Sequence, residues 1–437
     1  MATGAAREQQ ALPELPVLTE WGLRLRMLAG GIATRTFAWR GDPIARLLHA
    51  PWRDDPYPVY ERLRTEGPLV RSRLGLWALS DLTTCDAVLR DPRFGVRTSD
   101  GRQGDPLAAT AGMHLSLLEL DPPDHTRLRR LAAPAFRPRK LAQHRQRIEQ
   151  TTHELLDAAA DRGSFDLVDD LATPLPVRVI GDLLGLPAVD AEQLAHHGAV
   201  LGSSLDGIRS PRQLQRLRRS FAELETMFSE LLEQRRATPG DDIVSDLLTG
   251  LDGDRLTAGE LVQLCTLLLV AGFETTVNLI GNGTLALLNH PAQWERLCEQ
   301  PELAEAVVEE TLRWDPPVQA TARIPHEPVQ VAGRTVPTDS VVLVLLAAAG
   351  RDPAVHSAPG CFDITRGDTT HLAFSSGIHY CLGAPLARME AEVVFRTLAT
   401  RYPGLHRAGP VSRRPTTIIH GLASLPVATG NARVRAG

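Results

Sequence analysis

FSSGIHYCLG, residues 374–383, is the stretch that decides the fold. It sets Cys381 directly ahead of a helix-forming run, LGAPLARMEAEVVFRTLATRYPG. A lone cysteine is ordinarily a small buried hydrophobe. At a helix N-terminus it meets the positive end of the dipole, and free backbone N–H groups point at its sulfur. Both lower the thiol pKa and favour the thiolate. Gly377 permits a tight turn ahead of the cysteine, and Gly383 lets the backbone approach the sulfur. Phe374 can cover the sulfur and keep water away. Together these features make a sheltered thiolate; alone they do not name a metal.

Around that loop the sequence reads as a large soluble protein. Its 437 residues are 43% hydrophobic and 23% charged, ample material for a large core. A formal net charge of −5 gives no global attraction to nucleic acid or to an anionic membrane. The five cysteines are scattered and form no C-x-x-C, which fits a reducing cytoplasm without a disulfide framework or zinc knuckle. The first 16 residues are polar and proline-bearing, unlike a signal peptide. The most apolar run, Leu261 to Val270, is too short to span a bilayer. A cytoplasmic location without a transmembrane anchor is the expectation.

Trp21 to Ile32 carries apolar residues and arginines at loosely helical spacing. It reads as a helix packed on the body, with a weak membrane-surface contact as the alternative. From Asp54 the pattern is regular. DPYPVYERLRTEGP reads as a helix ending at Gly67, LVRSRLGLWALS as paired strands turning at Gly75, and SDLTTCDAVLRDPRF as a capped helix. Gly95 to Gly112 forms a long loop, of a length that is usually functional. Proline-broken helices follow at His125–Ala133, Leu141–Arg162, Pro176–Leu186, Ala191–Leu205 and Pro211–Thr238, with a short one in DDIVSDLLTG. Thr257 to Asn289 is one long helix that opens with a capping box, Thr257 and Glu260, and is roughly 50 Å long. PELAEAVVEETLRW is a further helix, and Val318 to Val344 alternates short strands with turns. The fold class is mainly α with a small β-rich region.

Further groups of residues stand out for their chemistry. Glu310 and Arg313 lie on one helix face and can pair. Glu61–Arg64 and Glu233–Arg236 share that spacing and read as solvated surface pairs. In LLLVAGFETTVNLIGNG an acid and two threonines interrupt an apolar helix. Such breaks of local rule often mark function, although a threonine can also simply bond back to a carbonyl four residues earlier. In LDPPDHTRLRR, His125 and Arg129 share a helix face and suit carboxylates.

FSSGIHYCLG resembles the haem-binding loop of the cytochrome P-450 family, Phe-Gly-x-Gly-x-His-x-Cys-x-Gly, with Ser375 at the second position. The Glu-x-x-Arg at 310–313 and the Glu-Thr-Thr at 274–276 resemble two further family motifs in the family's order. GRDPAVH (350–356) resembles its Asn-Arg-Asp-Pro segment, with Gly350 where Asn is usual, and GLASLPV (421–427) its C-terminal strand. The resemblance implies a triangular-prism fold, with heme b (iron protoporphyrin IX) between the long central helix and the Cys-loop helix. Residues 54–437 would be a single catalytic domain, and 1–53 an N-terminal extension packed on the body.

By the same resemblance Cys381 ligates the haem iron. His125, Arg129, Arg323 and His379 hold the propionates, and Ala271, Phe374 and Gly383 complete the cofactor's surroundings. Glu274 relays protons, and Thr275 hydrogen-bonds the oxygen molecule where the helix opens locally. Ala271 and Gly272 are small because haem and substrate pass close. Glu310, Arg313 and Arg366 form a buried structural network. The implied activity is a monooxygenase that hydroxylates or otherwise oxidises a hydrophobic small molecule with O2. Electrons would come from a ferredoxin and ferredoxin reductase, through a basic face of Arg127, Arg130, Arg137, Arg139 and Lys140. Specificity would lie in Gly95–Leu118, Ala191–Phe228, Val318–Thr321 and Thr416–Ile419. A peroxygenase on the same scaffold and a non-catalytic haem sensor are the alternatives. Neither needs the relay of Glu274 and Thr275.

Overall fold

The computed structural model describes residues 20–104, 115–186, 191–208, 210–252 and 256–430. Its longer helices in chain order are α1 (Glu20–Trp39), α2 (Pro43–Leu47), α3 (Tyr57–Glu66), α4 (Leu82–Arg90), α5 (Asp124–Ala132), α6 (Arg145–Ala160) and α7 (Pro174–Leu184). Then come α8 (Ala191–Gly202), α9 (Pro211–Ala237), α10 (Ile243–Asp252), α11 (Ala258–Asn289), α12 (Pro291–Glu299), α13 (Ala304–Trp314) and α14 (Ala384–Arg401).

The helix α11 organises the rest. Thr257 Oγ1 accepts the Glu260 N–H at 3.2 Å, and the Glu260 carboxylate accepts the Thr257 N–H at 2.8 Å, so the capping box forms as the sequence predicts. Downstream the helix is apolar on nearly every face, the pattern of a helix surrounded by protein. It packs against α7, α8, α9, α13 and α14. Among the described residues it alone is long and apolar enough to cross a membrane, and 83% of its apolar window is buried inside the fold.

The β-rich region is a five-stranded sheet in the order β1 (Leu69–Arg71), β2 (Trp77–Leu79), β8 (Val342–Val344), β5 (Thr321–Pro325), β3 (Phe94–Gly95). β2 and β8 run parallel, with Trp77 opposite Val342; the other pairs are antiparallel. Between β5 and β8 lies a small hairpin, β6 (Val329–Val331) with β7 (Arg334–Val336). A second small sheet joins distant segments: β12 (Pro426–Ala428) pairs with both β4 (Ser164–Asp166) and β9 (His406–Arg407). β10 (Ser412–Arg413) pairs with β11 (Leu422–Ser424).

Several sequence boundaries shift. Leu141–Arg162 is not one helix. A single turn at Pro138–Leu141 and a 3₁₀ turn precede α6, whose first residue, Arg145, is tied to Glu392 of α14. The stretch from Gly95 begins as strand β3 and closes on itself through a bridge between Arg97 and Gln103; residues 105–112 of that predicted loop lie outside the described residues. Arg64 is no solvated surface residue: its side chain is 14% exposed and its Nη2 donates to the Ala348 carbonyl at 2.7 Å. Glu233–Arg236 is exposed as expected.

Candidate active site

The cysteine loop is closed by its own backbone. Ser375 N–H donates to the Leu372 carbonyl at 2.7 Å, and Cys381 N–H to that of Phe374 at 2.9 Å. Gly377 has φ +67°, and a Cβ there would lie 2.4 Å from the Leu89 carbonyl oxygen, so only glycine fits. Gly383 has ordinary φ and open space around it; its contribution is its N–H, which with that of Ala384 bonds the Cys381 sulfur. Helix-start N–H groups predict a lowered thiol pKa, but the Cys381 thiol is raised. Burial outweighs the two N–H donors and the nearby Arg129 and Arg388 guanidiniums. A metal bound at the sulfur would favour the thiolate.

Phe374 is fixed by charge. The Arg388 guanidinium lies 4.5 Å from its ring centroid. Arg388 Nε donates to Glu309 at 2.6 Å, and Nη1 to the Tyr380 hydroxyl at 3.2 Å. His371 lies 3.2 Å from the same Glu309 carboxylate. Burial raises the Glu309 pKa, but these two partners outweigh it and bring the group down to about 2.

Beside the loop, four basic groups meet. The His125 and His379 rings are 4.4 Å apart, and Arg323 Nη2 approaches Ser375 Oγ at 3.5 Å. Arg129 Nη2 donates to the Tyr380 carbonyl at 2.6 Å. Neither His125 nitrogen, nor His379 Nε2, has a hydrogen-bond partner among the described residues. Burial, then the surrounding positive charges, drives His379 down to about 3 and also lowers His125; burial takes Arg323 down to about 10. Such a cluster calls for anions. A guest with two carboxylates fits it, and a haem carries two propionates.

Within buried α11, Ala271 is exposed and Thr275 half-buried, so this face is open. Thr275 Oγ1 donates to the Ala271 carbonyl at 3.3 Å, and the helix is regular through this turn. The local opening implied by resemblance is therefore absent here, because the back-bond and the helical ladder keep the turn closed. Gly272 is small for another neighbour: a Cβ there would lie 2.8 Å from Ile180 of α7.

Glu274 is buried and pairs with Arg414, a residue that sequence reading missed in the unremarkable run SRRP. Arg414 Nε also donates to the Leu422 carbonyl at 3.2 Å. Gly202 of α8 abuts the same acid, its virtual Cβ 3.3 Å from Glu274 Cγ. The segments Val318–Thr321 and Thr416–Ile419 adjoin through a Val318–Ile419 bridge and a Gln319 N–H donated to Ile418 at 2.9 Å.

Behind the site, Arg313 donates to Glu310 twice at 2.7 Å, and both side chains are 0% exposed. Arg366 Nε joins at 3.3 Å. The remaining Arg313 donors reach the carbonyls of Gly350, Pro359 and Cys361. Gly350 is explained by the same packing, since a Cβ there would lie 2.2 Å from the Arg313 carbonyl oxygen. Of the basic face, Arg130, Arg137 and Arg139 are exposed, whereas Arg127 pairs with Glu260 and Asp124, and Lys140 with Asp246.

A cysteine sulfur at a helix start, and beside it basic groups from three elements that suit two carboxylates, are the features of a haem-thiolate protein. Comparison with known proteins agrees. The cytochrome P450 family model matches residues 208–404. The chain is 42% identical to the cytochrome P450 monooxygenase PikC of Streptomyces venezuelae, over 85% of this chain and 91% of PikC. It is 38% identical to the vitamin D(3) 25-hydroxylase of Pseudonocardia autotrophica, over 88% of this chain and 96% of the relative. The ligand-free structure of Mycobacterium smegmatis CYP164A2 superposes with a TM-score of 0.82 at 39% identity, covering 88% of this chain and 99% of that one. The chain belongs to the cytochrome P450 family. It is accordingly an oxidoreductase, a monooxygenase that incorporates one atom of O2, and its cofactor is heme b held by a cysteine thiolate.

Proposed function

We propose that this enzyme hydroxylates or otherwise oxidises a hydrophobic small molecule, with electrons from a ferredoxin and its reductase. In this reading residues 54–437 are one catalytic domain and 1–53 an extension to it. The observation that carries the site assignment is the cluster of His125, Arg129, Arg323 and His379, brought from α5, β5 and the cysteine loop to one place beside Cys381, with no carboxylate hydrogen-bond partner among the described residues. Cys381 would ligate the haem iron through its sulfur. Arg129 and Arg323 as cations, with the imidazoles of His125 and His379 as hydrogen-bond donors, would hold the propionates, Phe374 would shield the sulfur, Gly383 donates its N–H to it, and Ala271 leaves room on α11.

Bound haem supplies the iron chemistry that reduces and splits dioxygen, favoured by electron density from the thiolate. The polypeptide controls protons. Glu274, released from Arg414, takes up a proton from water and passes it towards Thr275, whose hydroxyl exchanges its bond to the Ala271 carbonyl for one into the cleft and hands on its own proton as it receives the next. α8 and the paired segments at 318–321 and 416–419 hold the substrate. The name of the vitamin D(3) hydroxylase supports a lipid-like substrate class.

The test is spectroscopic first. The reduced carbon monoxide complex should show the red-shifted thiolate Soret band, and Cys381→Ala should abolish it. With a ferredoxin system, Glu274→Gln and Thr275→Ala should each cut product formation by about tenfold or more. Turnover with hydrogen peroxide alone, indifferent to both substitutions, would overturn the reading. Ligands that shift the haem from low to high spin would identify the substrate class.

A further inference from the structure

Trp39 and Ile32 are the most exposed large apolar side chains among the described residues, at 86% and 67%. They are seven residues apart on α1, two helical turns, and so share a face. With Arg35, Thr36 and Arg40 they line one shallow hollow on the surface. The opposite edge of the helix holds it to the body. Ala38 is buried, Thr34 Oγ1 lies 3.1 Å from His49 Nε2, and α1 abuts α2 and α9.

In the sequence, the register of Ile32 continues backwards through Leu28, Leu25 and Trp21, at four, seven and eleven residues. That spacing makes a row of large apolar residues with a tryptophan at each end. Residues 20–40 also contain Arg24, Arg26, Arg35 and Arg40 against Glu20 as the only acid, in a chain whose net charge is −5. Positive charge is thus concentrated along this helix. A bilayer surface accepts this combination: Ile32 enters the headgroup–acyl boundary, Trp39 sits at the interface, and Arg35 and Arg40 meet lipid phosphates. A second copy of the chain would not suit the row, because twofold packing would bring its arginines against one another.

We propose that α1 docks the enzyme on an anionic lipid surface through Ile32 and Trp39, with Arg35 and Arg40 at the phosphates. α2 follows α1 directly, and the Leu47 carbonyl accepts a hydrogen bond from Thr417 Oγ1 at 3.3 Å. A lipid-dissolved substrate would then enter beside the 416–419 segment. Only this last consequence rests on the proposed substrate class.

The experiment uses the full haem-loaded chain and sedimentation with phosphatidylcholine vesicles, with and without phosphatidylglycerol. The expected result is binding to the phosphatidylglycerol vesicles that weakens with salt. Ile32→Glu/Trp39→Glu should reduce it by roughly tenfold or more, and Arg35→Gln/Arg40→Gln by several-fold. The carbon monoxide spectrum should be unchanged in both variants, which shows that they fold. The proposal is overturned if the parent fails to bind these vesicles or if Ile32→Glu/Trp39→Glu binds as well as the parent. It is also overturned if light scattering finds a dimer that this variant dissolves. Loss of monooxygenase activity in the parent would count against the proposed function and leave the vesicle result standing.

Discussion

Ser375 occupies the left-handed region at φ +62°, where the family pattern has glycine. A Cβ in that region costs about 1–2 kcal/mol. Its hydroxyl is at the edge of hydrogen-bonding distance from Arg323, 3.5 Å. Ser375→Gly should therefore gain about 1 kcal/mol of stability in chemical denaturation, and Ser375→Ala, which keeps the strained Cβ, should not. Glu390 offers a second test. It is fully buried, neither of its oxygens has a partner among the described residues, and burial holds its pKa well above the usual carboxylate range. An unfolded glutamate ionises near about pH 4.3. The native state thus keeps a proton that the unfolded chain loses, and stability falls as pH rises above that value until the folded carboxyl ionises. Glu390→Gln should raise Tm by an amount that grows between about pH 5 and pH 8; a pH-independent difference in thermal melts would contradict this.

Among the elements, α13 carries the greatest stake. Its Glu310–Arg313 pair is wholly desolvated, so removing one partner strands a charge. Glu310→Ala should cost about 3–5 kcal/mol and yield little folded protein, while the paired change Glu310→Leu/Arg313→Met should cost less, as read by denaturant midpoints. Local order was legible in the sequence where its cause is local. The capping box of α11, the Gly75 turn and the pairing of Glu310 with Arg313 all follow from residues a few positions apart. The basic groups near Cys381 were named by resemblance and are brought together by the fold. Arg414 could not be found in this way, because its partner Glu274 is 140 residues away and nothing in SRRP distinguishes one arginine from the next. β4 was missed for the same reason: its stability comes from β12, far along the chain. The raised thiol pKa is not legible in the sequence, because helix-start N–H groups can be read there and desolvation of the sulfur cannot.

At the scale of the whole molecule, charge is distributed unevenly. Arg130, Arg137 and Arg139 remain exposed on the proposed electron-entry face, while Arg127 and Lys140 are already engaged by carboxylates. Arg130→Glu/Arg139→Glu should raise KM for a ferredoxin several-fold at low ionic strength, and the difference should shrink at high salt. An identical KM at both ionic strengths would place electron entry elsewhere. Arg414→Leu, by contrast, should leave that KM alone and lower the product formed per reducing equivalent, measured as product against NAD(P)H consumed. The contact of Glu274 with Gly202 and Arg414 has a practical corollary. Anyone retargeting this enzyme by editing α8 or the β10–β11 pair also rebuilds the surroundings of Glu274, the proposed proton donor. New selectivity obtained there will come with leaked hydrogen peroxide and wasted cofactor, so engineering libraries should be scored for coupling efficiency as well as product.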